Sequence, residues 1–197
     1  MSDATARAIR PVVATVALLN LGYFGVEFAV ALAIGSVALF ADSVDFLEDT
    51  SVNLLILIAL DWSAKKRARL GMALAGILLI PMLTALWTAA LKFAVPVPPE
   101  PFALSVTGAG AFAVNAICAL LLASVRDHRG SLTKAAFLSA RNDVLANVAI
   151  VVAGIVTAYT ASALPDLLVG LGIVFLSGSA AKEVYEAARD ERRDAVA

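Results

Sequence analysis

Two residue types that build many protein sites are almost absent from this sequence. It contains one cysteine, Cys118, and one histidine, His128. A single cysteine excludes an internal disulfide and a zinc cage made of cysteine ligands. His128 lies in a short basic stretch between two apolar segments, so no histidine falls inside an apolar segment. A metal site within such a segment would therefore depend on oxygen ligands.

Charge is scarce as well. Only 16% of the residues are charged and 61% are hydrophobic, and the mean hydropathy is +0.89. A soluble domain of 197 residues could not bury so much apolar surface, so the sequence predicts an integral membrane protein in contact with lipid. Two arginines precede the first apolar run, but no convincing cleavage site follows, so we interpret this run as a spanning helix. No nucleotide loop is present, and no nucleic-acid partner is expected.

Apolar segments define the predicted fold. A spanning helix needs about 20 apolar residues, and six segments meet this requirement. The proline-rich stretch 96–101 ends the third segment, because proline cannot continue a helix. We predict an all-α fold, in which residues 1–197 form one membrane domain of six transmembrane helices with a short tail at 185–197. The predicted helices span approximately residues 11–34, 37–60, 71–95, 102–125, 135–161 and 165–184.

Lysine and arginine predict the orientation of this bundle. Apart from Lys92 and Arg141, all of them lie at the N-terminus, between the second and third segments, between the fourth and fifth, or at the C-terminus. The positive-inside rule therefore places both termini in the cytoplasm, and we expect a multi-pass protein of a bacterial inner membrane. Lys92 lies near the outer end of the third helix, where we expect it to snorkel or to pair with a carboxylate at a dimer interface.

The second segment carries a dense acidic cluster. Asp42, Asp45, Glu48 and Asp49 fall within eight residues of an otherwise apolar helix. Each charge in hydrocarbon costs roughly 2.5–3.5 kcal/mol, so these carboxylates need a partner. Asp45 and Asp49 are four residues apart and share one helix face, which favours a bound cation. We expect Asp42 to line an exit path or cap backbone, and Glu48 to form a helix contact or cavity wall.

The fifth segment carries a matching polar stripe in Ser139, Asp143 and Asn147, with Asn142 beside it. The second helix enters from outside, so Asp49 lies roughly 18 Å below the outer surface. The fifth helix enters from the cytoplasm, so Asp143 lies roughly 12 Å above the inner surface. These depths sum to about 30 Å, the hydrocarbon thickness, so both carboxylates are expected at one level. The predicted metal ligands are Asp45, Asp49, Asp143, Ser139 and Asn142.

Structural roles remain as alternatives for each of these residues. Asp45 and Asp49 could hydrogen-bond two helices together, and Asp143 could form an ion pair with Arg141. Ser139 could instead bond to its own helix backbone. Three asparagines, Asn20, Asn115 and Asn147, are expected to form hydrogen bonds between helices. Glu27 in the first helix is either a proton-pathway residue or a partner in an interhelical hydrogen bond.

These residue types predict which ions the site binds. Several carboxylates with a hydroxyl or an amide favour a divalent cation bound through oxygen. Without a cation, neighbouring carboxylates in a low-dielectric interior cannot all ionise, so they hold protons that a metal must displace. A site that binds either metal or protons, and opens alternately to each side, describes a proton-coupled antiporter.

Several strings resemble one known family, the cation diffusion facilitators. NLGYFGVEFAVALAIGSVALFADSVDFLEDTSVN is similar to the first two helices of that family. Asn115, the stretch SLTKAAFLSARNDVLANVAIVVAG and the start LPDLLVGLGIVF of the sixth helix are similar as well. The resemblance implies six helices that export divalent metals in exchange for protons. It also implies a pair of ligands, spaced by four residues, on each of helices two and five. By position these include Asp45, Asp49 and Asp143.

The sequence departs from the family pattern in two respects. Ser139 stands where the family usually has histidine or aspartate, so Ser139, Asn142 or water would complete the site. Because no helix carries histidine, the transported metal stays open among zinc, cobalt, cadmium, manganese and iron(II). Most members also have a cytoplasmic metal-binding domain after the sixth helix, whereas this chain resembles the short single-domain branch. A homodimer would then rest on the helices alone.

Two other functions are alternatives to transport: membrane enzymes, and metal-binding proteins that do not transport. Intramembrane aspartyl proteases need a Gly-Leu-Gly-Asp motif, and lipid-headgroup transferases need Asp-Gly followed by Ala-Arg. Neither motif occurs, so we predict no enzymatic activity and no cofactor. The second alternative is a membrane metal sensor or accessory subunit that binds metal without transporting it. A flux measurement separates it from a transporter.

Overall fold

The computed structural model describes residues 3–58, 82–124 and 130–176, together with the helical positions Ala73 and Gly76. Within these ranges it contains helices and no strand, which confirms the all-α prediction. The ends of predicted helices two and six, the start of helix three, and the tail 185–197 lie outside them. The helices are α1 (Asp3–Ile34), α2 (Val37–Ile58), α3 (Met82–Ala94), α4 (Pro101–Ala123), α5 (Gly130–Thr160) and α6 (Leu164–Leu176).

Three of the described helical segments are long and apolar enough to cross a membrane: Arg10–Ile34, Pro101–Ala123 and Asn142–Thr160. The described parts of α3 and α6 are shorter apolar helices. α2 differs because it carries four carboxyl groups, and its first half, from Val37 to Phe46, is almost entirely buried. The bundle therefore surrounds α2, while large apolar side chains such as Phe102, Leu120 and Phe175 point outward, where lipid would cover them.

Packing joins the six helices into one body. The most extensive contacts are between α4 and α5 and between α1 and α2, and α1–α4 and α2–α5 contacts join these two pairs. One buried apolar cluster draws on every helix. Its members include Ala31, Phe40, Ala85, Leu104, Ile150 and Ile173. The acidic residues of α2 therefore face α1 and α5 across a close-packed interior.

A buried polar cluster, here the Asp166 cluster (Ser36, Lys92 and Asp166), joins the start of α2 to α3 and α6. The Asp166 carboxylate accepts hydrogen bonds from Ser36 Oγ at 2.5 Å, Val37 N at 3.0 Å and Ala38 N at 3.2 Å. It also forms an ion pair with Lys92 Nζ at 2.7 Å. An aspartate from a distant helix thus caps the first turn of α2, whose N–H groups have no partner inside their own helix.

The structure therefore assigns Lys92 a role different from the expected one. Its side chain is 7% exposed and that of Asp166 is fully buried, so Lys92 pairs within the chain rather than snorkelling to the surface. Gly35 makes the neighbouring turn possible, because its φ of 63° lies in the left-handed region that favours glycine. The α1–α2 connection is thereby directed onto α6.

Close contact between α6 and α2 depends on Gly170. A Cβ atom at this position would lie 2.6 Å from the carbonyl carbon of Val37 and 2.7 Å from the amide nitrogen of Ala38. We expect Gly170→Ala to destabilise the protein by about 1–3 kcal/mol, because backbone atoms must move to relieve the overlap. The measurement is the midpoint of thermal unfolding in detergent. Gly172→Ala is the matched control, since a Cβ there meets nothing within 4 Å. Equal midpoints for the two variants would contradict the close contact.

Candidate cation site

A cavity of about 690 Å³ lies between α2, α5 and α6. Its polar part is formed by Asp45 and Glu48 of α2 and by Asn142 and Asp143 of α5. The rest of the lining comes from α5 and α6. It consists of apolar side chains and Gly172. Asp45, Glu48 and Asp143 are half-buried, and Asn142 is exposed. The cavity thus gives water and small ions access to carboxylates inside a bundle that is otherwise apolar.

Asp49 lies deeper than the cavity lining. Its side chain is 4% exposed, and its carboxylate accepts a hydrogen bond from Asn20 Nδ2 of α1 at 3.4 Å. Asn20 in turn accepts one from Cys118 Sγ of α4 at 3.5 Å. Asn53 donates to the backbone oxygen of Asp49 at 2.7 Å. Two neighbouring helices therefore hold the Asp49 side chain in place, and the prediction that Asn20 bonds across helices is confirmed.

Proximity connects the carboxylates of the two helices. Asp45 and Glu48 of α2 and Asp143 of α5 line the same cavity, and Asp143 also lies within electrostatic range of Asp49. Like charges this deep in a protein repel strongly when ionised, because little water screens them. α2 and α5 therefore bring their carboxyl groups to one part of the bundle. In the described ranges, however, no three His, Cys, Asp or Glu side chains converge closely enough to hold a metal ion.

The five predicted ligands thus fall into three groups. Asp45, Asn142 and Asp143 line the cavity, and Asp49 lies buried behind it. The backbone of residue 139 belongs to α5, but the Ser139 side chain lies outside the described residues. α2 and α5 together supply the carboxylates, as the pattern of the sequence predicts, and α6 supplies an apolar wall.

A second polar layer lies one turn from this cavity, between α2, α4 and α5. Asn147 Nδ2 donates to Asp42 Oδ2 at 2.6 Å, and Asn147 Oδ1 accepts from Asn115 Nδ2 at 3.0 Å. These bonds confirm the expected interhelical roles of Asn115 and Asn147. Asp42 is fully buried in this chain of amides, and Glu27 of α1 is fully buried beside it. Asp42 and Glu27 therefore lie in the interior rather than along an open path.

Comparison with known proteins identifies the family of this chain. Residues 13–187 match the family model described as the cation efflux transmembrane domain. No match was found among the curated proteins with which the chain was compared. Proteins of the matched family are transporters that move cations across membranes rather than enzymes. The match covers almost all of the 197 residues and includes every carboxylate of the site. The chain is therefore an integral membrane protein that belongs to the cation efflux family.

Proposed function

We propose that the protein exports a divalent metal ion in exchange for protons, through a site formed by Asp45, Asp49 and Asp143. The observation that carries this proposal is that Asp45 and Glu48 of α2 and Asn142 and Asp143 of α5 line one cavity inside the bundle, with Asp49 buried on the same helix as Asp45. Carboxylate and amide oxygens that converge from two helices suit a divalent cation.

The donor set supports a metal that binds oxygen. The described site offers carboxylate oxygens and the amide of Asn142, and no thiol or imidazole lines the cavity. Such ligands suit manganese, iron(II), cobalt, zinc or cadmium, with water filling the remaining positions. The ligands approach from two helices, so a small approach of α5 towards α2 would change the coordination. Transport requires this property, because the site must bind the metal on one side and release it on the other.

The position of the cavity supports a site in the middle of the membrane. Its lining comes from α5 between Asn142 and Ala149 and from α6 between Val169 and Leu176. Within the predicted spans 135–161 and 165–184, these parts lie near the centre of each helix. A metal ion in the cavity lies beside Asp45 and Asp143. Protons held by these carboxylates leave as the ion binds, and for export the site opens first to the cytoplasm and then outward.

A flux assay tests the proposal. Proteoliposomes with an acidic interior are mixed with zinc, cobalt, cadmium, manganese or iron(II), while internal metal and internal pH are followed by fluorescence. We expect uptake of at least one metal together with alkalinisation of the interior, because protons leave as the metal enters. Protein-free liposomes and liposomes with the pH gradient collapsed are the controls.

Three outcomes of the assay would contradict the proposal. If no metal moves, the protein is not a transporter of these ions, and saturable metal binding without flux would favour a sensor or accessory subunit. If metal enters without any pH change, transport occurs but is not coupled to protons. If flux is unchanged after the gradient is collapsed, the proton gradient does not drive it.

A further inference from the structure

Three of the four carboxyl oxygens of Glu27 and Asp42 are buried in the bundle without a described hydrogen-bond donor. Both side chains are fully buried, Glu27 on α1 and Asp42 on α2. Within the described part of the chain, no donor reaches Glu27 Oε1, Glu27 Oε2 or Asp42 Oδ1. Buried polar atoms almost always have a hydrogen-bond partner, and an ionised carboxylate without one is costly. These oxygens therefore need a hydrogen-bond donor that compensates for their burial.

The two carboxyl groups are each other's neighbours, within hydrogen-bond range. Two ionised carboxylates cannot bond to each other, because both only accept. A single proton changes this, since the protonated group becomes a donor to the other. With one proton, the pair gains a short charge-assisted bond and loses one of its two negative charges. The geometry is thus that of two carboxyl groups sharing a proton.

We propose that Glu27 and Asp42 form a proton-binding site, separate from the Asp45–Asp49–Asp143 cation site, which supplies a proton exchanged during transport. This inference rests on the proposed function. A metal ion fits the pair poorly. Asn147 presents its N–H group rather than its oxygen to Asp42, and the Tyr23 hydroxyl donates to the backbone oxygen of Thr107 at 2.6 Å. Asn147 thus supplies a donor rather than a ligand to Asp42, whereas a proton needs only the two carboxylates.

The surroundings connect the pair to the cation site. Glu27 interacts with Asp45, and Asp42 interacts with Asp143. Among the described residues, the titratable groups that face the pair are thus Tyr23 of α1, Asp45 and Asp143, and none of them is cationic. α4 contributes the uncharged Asn115 and has no charged residue in its sequence. A divalent ion at Asp45 and Asp143 would reverse the local field and stabilise two ionised carboxylates at 27 and 42. The pair then releases its proton as the metal binds.

Proton release on metal binding tests this site without requiring flux. Purified protein in detergent is titrated with a metal that it transports, by calorimetry in buffers of different ionisation enthalpy. We expect Glu27→Gln to bind the metal within about threefold of the wild-type affinity but to release about one proton fewer per metal. The amide of glutamine replaces the shared proton as a permanent donor to Asp42. Glu100→Gln is the matched control, because Glu100 is exposed at the start of α4, and it should release the wild-type number.

A second measurement compares infrared spectra of the wild-type protein and of Glu27→Gln. Infrared difference spectra on metal addition should show loss of a protonated-carboxyl band, and that loss should be smaller in Glu27→Gln by one carboxyl group. Equal proton release and equal band loss in wild type and Glu27→Gln would overturn the proton site while leaving metal transport intact. Absence of a protonated-carboxyl band from the wild type would overturn it as well. If no metal moves in the flux assay, the proposed function fails independently of the infrared result.

Discussion

Asp49→Asn is expected to reduce metal flux by about a hundredfold or more while leaving the fold intact. Asparagine has the shape of aspartate and keeps an oxygen that can accept the hydrogen bond from Asn20. What the variant loses is a negative charge within electrostatic range of Asp143. A divalent ion then meets two carboxylates instead of three, and the protons that it displaces are fewer. The measurement is the initial rate of metal uptake into proteoliposomes at matched protein content.

The matched control is Asn20→Ala, which removes the described partner of Asp49 on α1 but leaves its charge in place. We expect a smaller effect, about tenfold or less, because the carboxylate remains and only its orientation is less restricted. Thermal unfolding in detergent checks that both variants are folded. Full flux in Asp49→Asn would show that the cation binds elsewhere. Equal losses in the two variants would contradict the expectation that the charge of Asp49 matters more to flux than its hydrogen bond to Asn20.

The sequence contains enough information to predict that carboxyl groups of α2 and α5 lie near each other, and the reason is periodicity. Asp45 and Asp49 share a helix face because they are four residues apart, and Asp143 lies on an oppositely directed helix at a similar depth. Asp45 and Asp143 line the same cavity, which agrees with that depth argument. The same pattern could not show that Asp49 lies deeper than Asp45, because burial depends on how α1 and α4 pack against α2.

The polar stripe of α5 shows a further limit. Ser139, Asp143 and Asn147 lie on one helix face, but the structure separates the roles of the last two. Asp143 lines the cavity, whereas Asn147 bonds to Asp42 in the second polar layer. α2 and α5 are antiparallel in the predicted topology, so a residue further along α5 meets a residue earlier on α2. Applied to the sequence, this rule pairs Asn147 with the start of the acidic cluster.

The Asp166 cluster could not be predicted from any local pattern. Asp166 bonds Ser36 across 130 positions in sequence, and Lys92 reaches it across 74. Hydropathy shows where a charge lies in a spanning segment, but it does not show which carboxylate lies beside that charge. For this reason the sequence favours snorkelling for Lys92. Only the docking of α6 on the first turn of α2 reveals the pair. The two short connections at Gly35 and at residues 161–163 bring these ends together.

Asp166→Ala is expected to destabilise the protein by about 3–5 kcal/mol, the largest stability loss predicted for this chain. The variant leaves Lys92 buried without its carboxylate and removes the acceptor for Ser36 Oγ, Val37 N and Ala38 N. Each loss is costly because water cannot easily replace the missing partner. The midpoint of thermal unfolding in detergent should fall by about 10 °C or more.

Comparison with Lys92→Met separates the ion pair from the helix cap. In that variant Asp166 still accepts three hydrogen bonds at the first turn of α2, so its charge remains stabilised and the loss should be about 1–3 kcal/mol. Lys92→Met/Asp166→Asn removes both charges and keeps an oxygen that can accept from the α2 backbone. It should therefore be more stable than Asp166→Ala. If Asp166→Ala unfolds no earlier than Lys92→Met, the carboxylate does not cap α2, and the ion pair alone would join α6 to the bundle.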